Sequence, residues 1–296
     1  MALLQKMQPL ASIMALGIGL GLIGNSVGSI PTDGPALFGY GATILAGTTM
    51  GLIGGGGSIL TVPILVYLLG IPPILATGYS LFVVGLSALV GFINYFKIGL
   101  VNIKTGTIFA IPAFVGVFLA RKFLLPALPL EIFSVGNLVV GRDLIVMGVF
   151  ATLMILASVS MIRGGSEPEQ EGELQFNYPM IALEGLVVGG VTGFVGAGGG
   201  FLIIPALVML AKLPMKQAVG TSLMIIAVKS LFGFLGDLGN QSIDWGFLAL
   251  FCLLSIIGIY LGTYLSRFVS SAKLKPGFGW FVLIMGLFIL AKETIL

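Results

Sequence analysis

Two runs of glycine are the residues best suited to chemistry in this chain. The first is Gly54, Gly55, Gly56 and Gly57, followed by Ser58. The second is Gly196, Gly198, Gly199 and Gly200, with Ala197 among them. Each glycine is about 1 kcal/mol worse than alanine in a helix interior, so four in a row predict a broken helix. Unwound glycine backbone presents N–H groups with no side chain in the way. The helix that restarts beyond it adds a positive dipole end and free donors, and together these make a cradle for an anion. Ser58 stands at the first restart, where it can cap the helix, and Gly200 holds that position in the second. Hydroxyls come after each run: Thr77, Tyr79 and Ser80 after the first, Thr221 and Ser222 after the second. They can serve as caps or as ligand donors. Lys229 sits in an apolar stretch, between Ile225-Ile226-Ala227-Val228 and Ser230-Leu231-Phe232. A buried ammonium needs a partner, and the candidates are Asp237, Glu184 or a bound anion. Asn94 is a further polar candidate. The alternative use of glycine is close helix packing through small residues, which is the preferred reading for Gly47, Gly51, Gly189, Gly190 and Gly193.

The surroundings of these residues are those of a membrane. Of the 296 residues 57% are hydrophobic and only 8% charged, and 45 are glycine. Soluble domains carry about 25% charge, so this chain cannot wet its own surface. The net charge of +3 is scattered among apolar segments and is no nucleic-acid footprint. With no histidine and a single cysteine, Cys252, a disulfide framework, a zinc centre and a Ser-His or Cys-His relay are all excluded. No cofactor and no enzymatic activity are expected.

Nine apolar stretches succeed one another along the chain, roughly 8–29, 37–69, 74–96, 101–120, 142–162, 179–211, 215–236, 245–265 and 276–292. A crossing needs about 20 apolar residues. If each stretch crosses once, Lys6, Arg121, Lys122, Arg142, Lys212, Lys216, Arg267, Lys273 and Lys275 share one side. Lys97, Lys104, Arg163 and Lys292 take the other. The excess of positive charge then predicts a cytoplasmic N-terminus and an extracytoplasmic acidic linker carrying Glu167, Glu169, Glu171 and Glu173. Stretches 37–69 and 179–211 are too long for one perpendicular helix and are expected to break at their glycines. A piece that turns back would flip every later side.

The glycine block recurs. Gly51 through Pro63 aligns with Gly193 through Pro205 at an offset of 142. At the same offset Pro72 meets Pro214, Ala76 meets Ala218, and Gly78, Ser80 and Leu81 meet Gly220, Ser222 and Leu223. The expected fold is an all-α polytopic membrane bundle: an extra N-terminal helix (1–36), a first four-helix repeat (37–162), a linker (163–177) and a second repeat (178–296). Duplicated halves with a ligand between them are a recurring plan of secondary transporters.

The first block, Gly-x-x-Gly-Gly-Gly-Gly-x-x-Leu-x-Val-Pro and then Leu-Gly-Ile-Pro-Pro and Gly-Tyr-Ser-Leu, resembles the sulfite exporter TauE/SafE family. That family is also called the toluene sulfonate uptake permease family. The second block resembles it more closely, through Gly-Ala-Gly-Gly-Gly-Phe-Leu-Ile-Ile-Pro at 196–205, Gly-Thr-Ser-Leu at 220–223 and Ile-Asp-Trp at 243–245. The resemblance spans about 40–290 and implies transport of small sulfur-containing anions (sulfite, thiosulfate or organosulfonates) across the inner, cytoplasmic membrane. The chain departs from the family pattern in Gly-Tyr-Ser for Gly-Thr-Ser, in the additional first helix and in Lys229. The expected partners are the anion, a coupling ion (H+ or Na+) and the lipid bilayer, with no nucleic acid. Proton coupling without histidine would fall to Glu184, Asp237 or the substrate itself. The alternatives are an anion channel and a carrier of a non-sulfur anion such as a carboxylate.

Overall fold

The computed structural model describes residues 34–129, 131–135, 138–163, 178–209, 211, 213–238, 243–266, 268 and 271–295. The proposed N-terminal helix and the acidic linker lie outside them. Within them nine main helices run in order: α1 (Gly34–Ile53), α2 (Pro73–Lys97), α3 (Ile103–Leu119), α4 (Arg142–Arg163), α5 (Tyr178–Val195), α6 (Gly200–Met209), α7 (Met215–Phe234), α8 (Trp245–Leu265) and α9 (Ser271–Ile295). A return limb comes after α1, made of a 3-10 segment Gly55–Leu60, one α turn Thr61–Pro63 and a π turn Ile64–Leu68. The all-α expectation holds apart from one short antiparallel hairpin, Glu131–Val135 with Leu138–Gly141. Five segments are long and apolar enough to cross a membrane: Pro73–Lys97, Ile103–Ala127, Arg142–Arg163, Met215–Phe234 and Trp245–Leu265. Large apolar side chains such as Phe38, Leu45, Leu183, Val187, Ile284 and Phe288 face outward, as a lipid-bathed surface requires.

The helix starts arise from local sequence. Proline opens α2 and α7: Pro72 and Pro214 both hold extended backbone (ψ 139° and 143°), which stops any helix upstream. Asn102 and Asp244 cap α3 and α8, each accepting from the backbone N–H three residues on, Thr105 and Phe247, at 3.0 Å. Both pairs lie 142 residues apart.

Stretch 37–69 does not cross. The chain reverses at Gly54, whose φ of 77° is a conformation open to glycine. The return limb then runs back along α1. A Cβ on Gly57 would strike Thr49, Met50 and Ala46, and one on Gly39 would lie 2.8 Å from Leu69. At the open end Tyr67 donates to Glu293 of α9 at 2.9 Å and its ring lies under Lys292.

Stretch 179–211 turns back as well. Helix α5 runs alongside α3 in the same direction, with Gly185 on Phe109, Gly189 on Ala113 and Gly193 on Val117. The start of α7 returns to the start of α3, where the Thr221 hydroxyl accepts from the Asn102 N–H at 2.9 Å. The chain therefore leaves and re-enters at one end. In the same manner α1 runs beside α8, with Gly47 on Ser255 and Gly51 on Ile259, and Tyr79 of α2 accepts from the Asp244 N–H at 2.7 Å. These contacts correct the expectation of nine single crossings, which rested on apolar length alone. Gly47, Gly51, Gly189 and Gly193 pack backbone against backbone, as expected of them. A Cβ on Gly190 would meet nothing within 4 Å, but its backbone nitrogen lies 2.7 Å from where a Cβ on Gly116 would be.

This path fixes which ends lie together. Reporters fused at 98–102, within 164–177 and at 213–215 should all read the same side, and one in 131–141 the opposite side. Opposite signals from 164–177 and 213–215 would mean that α5 and α6 cross after all.

Candidate functional site

The two hairpin tips meet in the middle of the bundle. Gly55 and Gly200 touch so closely that a Cβ on either would overlap the other's backbone. Around this crossing the partners exchange between halves. Gly54 faces Val219, Ile204 and the Ser222 hydroxyl, while Gly196 lies on Thr77, the position 142 residues before Val219. Gly198 rests on Val84 and Ser58. Glycine is needed here because two segments of the chain cross at backbone distance. A valine at Gly198 would displace Ser58 and Val84, so it disturbs packing whatever else it does.

The two breaks differ. In the first the backbone tightens into the 3-10 segment Gly55–Leu60, which includes Gly56 and Gly57, instead of unwinding. Ser58 does not cap the restart: its hydroxyl donates to the Gly55 carbonyl at 2.5 Å. In the second break residues 197–199 belong to no helix, Gly196 and Gly199 both hold positive φ (72° and 74°), and α6 restarts at Gly200. The second break is the unwound one.

Lys229 stands beside it. Its side chain is fully buried, its Nζ donates to Thr192 Oγ1 at 2.8 Å, and it lies 3.4 Å from where a Cβ on Gly199 would be. Asp237 is not its partner. That carboxylate faces Arg121, with Nη1 to Oδ2 at 3.5 Å. No carboxylate oxygen of the described residues, Glu184 included, comes within ion-pair distance of Lys229.

The hydroxyls divide by role. Thr77, buried, donates to the Ile74 carbonyl at 2.7 Å and accepts from Arg121 at 3.1 Å. Ser80 is fully buried and its hydroxyl has no hydrogen-bond partner among the described residues. Ser222 donates to the Val219 carbonyl at 2.8 Å and faces Gly54. Thr77, against Gly196, and Ser222, against Gly54, lie at the crossing. Tyr79 and Thr221 do not: both hydroxyls are engaged by the capping residues Asp244 and Asn102. Asn94 is half-buried near the far end of α2.

Arg121 is the residue that sequence reasoning misplaced. It comes after an apolar run, beside Lys122, and reads as a loop cation, yet it is completely buried. The helix passes through a π turn at Ala120–Leu124, one extra residue per turn, which rotates the facing of the residues beyond it. Burial of Arg121 beside exposed Lys122 is the outcome.

Tyr79→Phe and Thr221→Val should each lower the melting temperature through loss of about 1 kcal/mol, with anion affinity unchanged. A drop in affinity at unchanged melting temperature would place these hydroxyls in the binding site instead.

The profile of the family described as sulfite exporter TauE/SafE matches residues 40–289. A probable membrane transporter protein of Xylella fastidiosa (strain 9a5c) is 31% identical over 255 residues, covering 84% of this chain and 92% of its own. The probable membrane transporter protein YunE of Bacillus subtilis is 28% identical over 256 residues, covering 77% and 85%. A shorter match, 30% over 121 residues, joins MJ0441 of Methanocaldococcus jannaschii, also a probable membrane transporter protein. No solved structure matches the chain. Buried helices, outward apolar faces and these relatives agree on a multi-pass membrane transporter, and the chain belongs to the sulfite exporter TauE/SafE family.

Proposed function

We propose that this transporter is a secondary carrier of small sulfur-containing anions, such as sulfite, thiosulfate or organosulfonates, across the cytoplasmic membrane. The site is the unwound second break, at Gly196 and Gly198–Gly200, with Lys229 as its charge. The observation that carries the reading is Lys229: a fully buried ammonium with a hydroxyl and glycine backbone around it and no carboxylate of the described residues to neutralise it. A buried charge without a counter-charge is costly, and a bound anion supplies one. The backbone N–H groups of the break and the start of α6 suit an oxoanion. Ser58, Ser80, Ser222 and Thr77 supply hydroxyls from the facing helices.

The exchanged contacts at offset 142 support a reading of the two halves as inverted repeats, with the hairpins opening toward opposite ends. On that reading Lys97, Lys104, Arg163, Lys216, Lys273 and Lys275 share one end, joined by the N-terminus if the first stretch crosses. Arg121, Lys122, Arg142 and Lys292 take the other. The richer end is the cytoplasmic one, which keeps the N-terminus inside and moves the acidic linker to the cytoplasm. Transport is driven by a proton or sodium gradient.

Lys229→Met keeps length and apolar fit while removing the ammonium. A charge-assisted hydrogen bond is worth roughly 1.5–3 kcal/mol, so thiosulfate affinity should fall about 10- to 100-fold, measured by thermal shift on purified protein. Folding should be little harmed. Unchanged affinity would reject the site. Proteoliposomes should show counterflow of labelled against unlabelled anion, and non-saturating flux would favour a channel.

A further inference from the structure

A second buried cation lies at the other end of the same break. Arg121 is fully buried, and only one of its nitrogens is engaged. Nη1 donates to Thr77 Oγ1 at 3.1 Å and lies 3.5 Å from Asp237 Oδ2. Among the described residues Nε and Nη2 have no hydrogen-bond partner, and Asp237 Oδ2 itself makes no hydrogen bond there. Nε and Nη2 form the side-on edge of the guanidinium, two parallel donors that match two oxygens of a carboxylate, sulfonate or phosphate. The pair with Asp237 is thus an end-on contact at longer than hydrogen-bond length, which leaves the better edge idle.

The placement of this edge is not incidental. Thr77, which holds Nη1, is the residue on which Gly196 packs, so Arg121 reaches the first glycine of the unwound break through Thr77, whereas Lys229 adjoins Gly199 directly. The π turn at Ala120–Leu124 brings Arg121 there, and such turns gather at functional positions. The first break has neither cation: the residues 142 positions away are Ser87 and Thr263. Ser87 is spent on Ser255 at 2.8 Å.

We propose that the side-on edge of Arg121 is a second oxoanion subsite, distinct from Lys229, with Asp237 as a built-in competitor for the same guanidinium. An arriving sulfonate or sulfite takes Nε and Nη2, and the nearby carboxylate opposes it by like-charge repulsion. The subsite binds weakly while Asp237 is charged and releases its anion readily, as a stop on a transport path must. This rests on the reading of the chain as an anion carrier.

The test is calorimetric titration of the purified full chain with methanesulfonate. Asp237→Asn keeps shape and removes the competitor, so binding should tighten about tenfold. Arg121→Lys keeps the charge but loses the paired edge, so binding at this subsite should weaken about tenfold. Arg121→Met with Asp237→Asn should lose the gain of Asp237→Asn. The gain should persist when Asp237→Asn is made in the Lys229→Met protein. Unchanged or weaker binding in Asp237→Asn, or a double variant that binds as tightly as Asp237→Asn, overturns the subsite. Should Asp237→Asn fail to fold, Arg121→Lys decides alone, and wild-type affinity there overturns it. The two readings fail separately: wild-type binding by Lys229→Met sinks the carrier site, whereas indifference to both Asp237 and Arg121 sinks only this subsite.

Discussion

Backbone that leaves a helix inside a membrane has no water to fall back on, and the rest of this structure depends on meeting that constraint. Non-helical backbone at such depth is tolerated only where protein or a polar cavity surrounds it. Here two breaks meet that demand together by crossing at Gly55 and Gly200, where neither residue has room for a Cβ. The crossing requires glycine on both segments. It also requires the two hairpins to be held in place from behind, which Gly47 and Gly51 against α8 and Gly185, Gly189 and Gly193 against α3 accomplish. The caps at Asn102 and Asp244, each tied to a hydroxyl of the other half, fix where the flanking helices begin.

Once the backbone is so packed, the polar residues are left with little choice. The first break closes into a 3-10 segment and its serine turns back on its own carbonyl. The second stays open, and the two cations buried around it, Lys229 directly and Arg121 through Thr77, make it the electropositive one. The two breaks thus share their glycines but differ in the charge around them.

Much of this was legible in the residues. The glycine runs and the proline stops marked the breaks, because those signals are local and need no partner to be read. The capping residues Asn102 and Asp244 are of the same kind. What hydropathy did not show was direction. A 33-residue apolar stretch that crosses and one that turns back have the same composition, and only contacts such as Gly39 with Leu69 tell them apart. Arg121 was hidden for a related reason. Its place in sequence, at the end of an apolar run beside Lys122, reads as a loop, and the π turn that buries it has no signature in residue type. The hydroxyls of Tyr79 and Thr221 read as ligand donors or caps alike, and the structure spends both on the starts of the opposite half's helices.

An oxoanion held in the second break beside Lys229 is the centre of this account. Crystals grown with selenite, a sulfite analogue with a strong anomalous signal, test it most directly. The expected result is a selenium peak whose oxygens reach Lys229 Nζ and the backbone N–H groups near Gly199 within about 3.2 Å. Selenium bound only elsewhere, with Lys229 still on Thr192 alone, would contradict it.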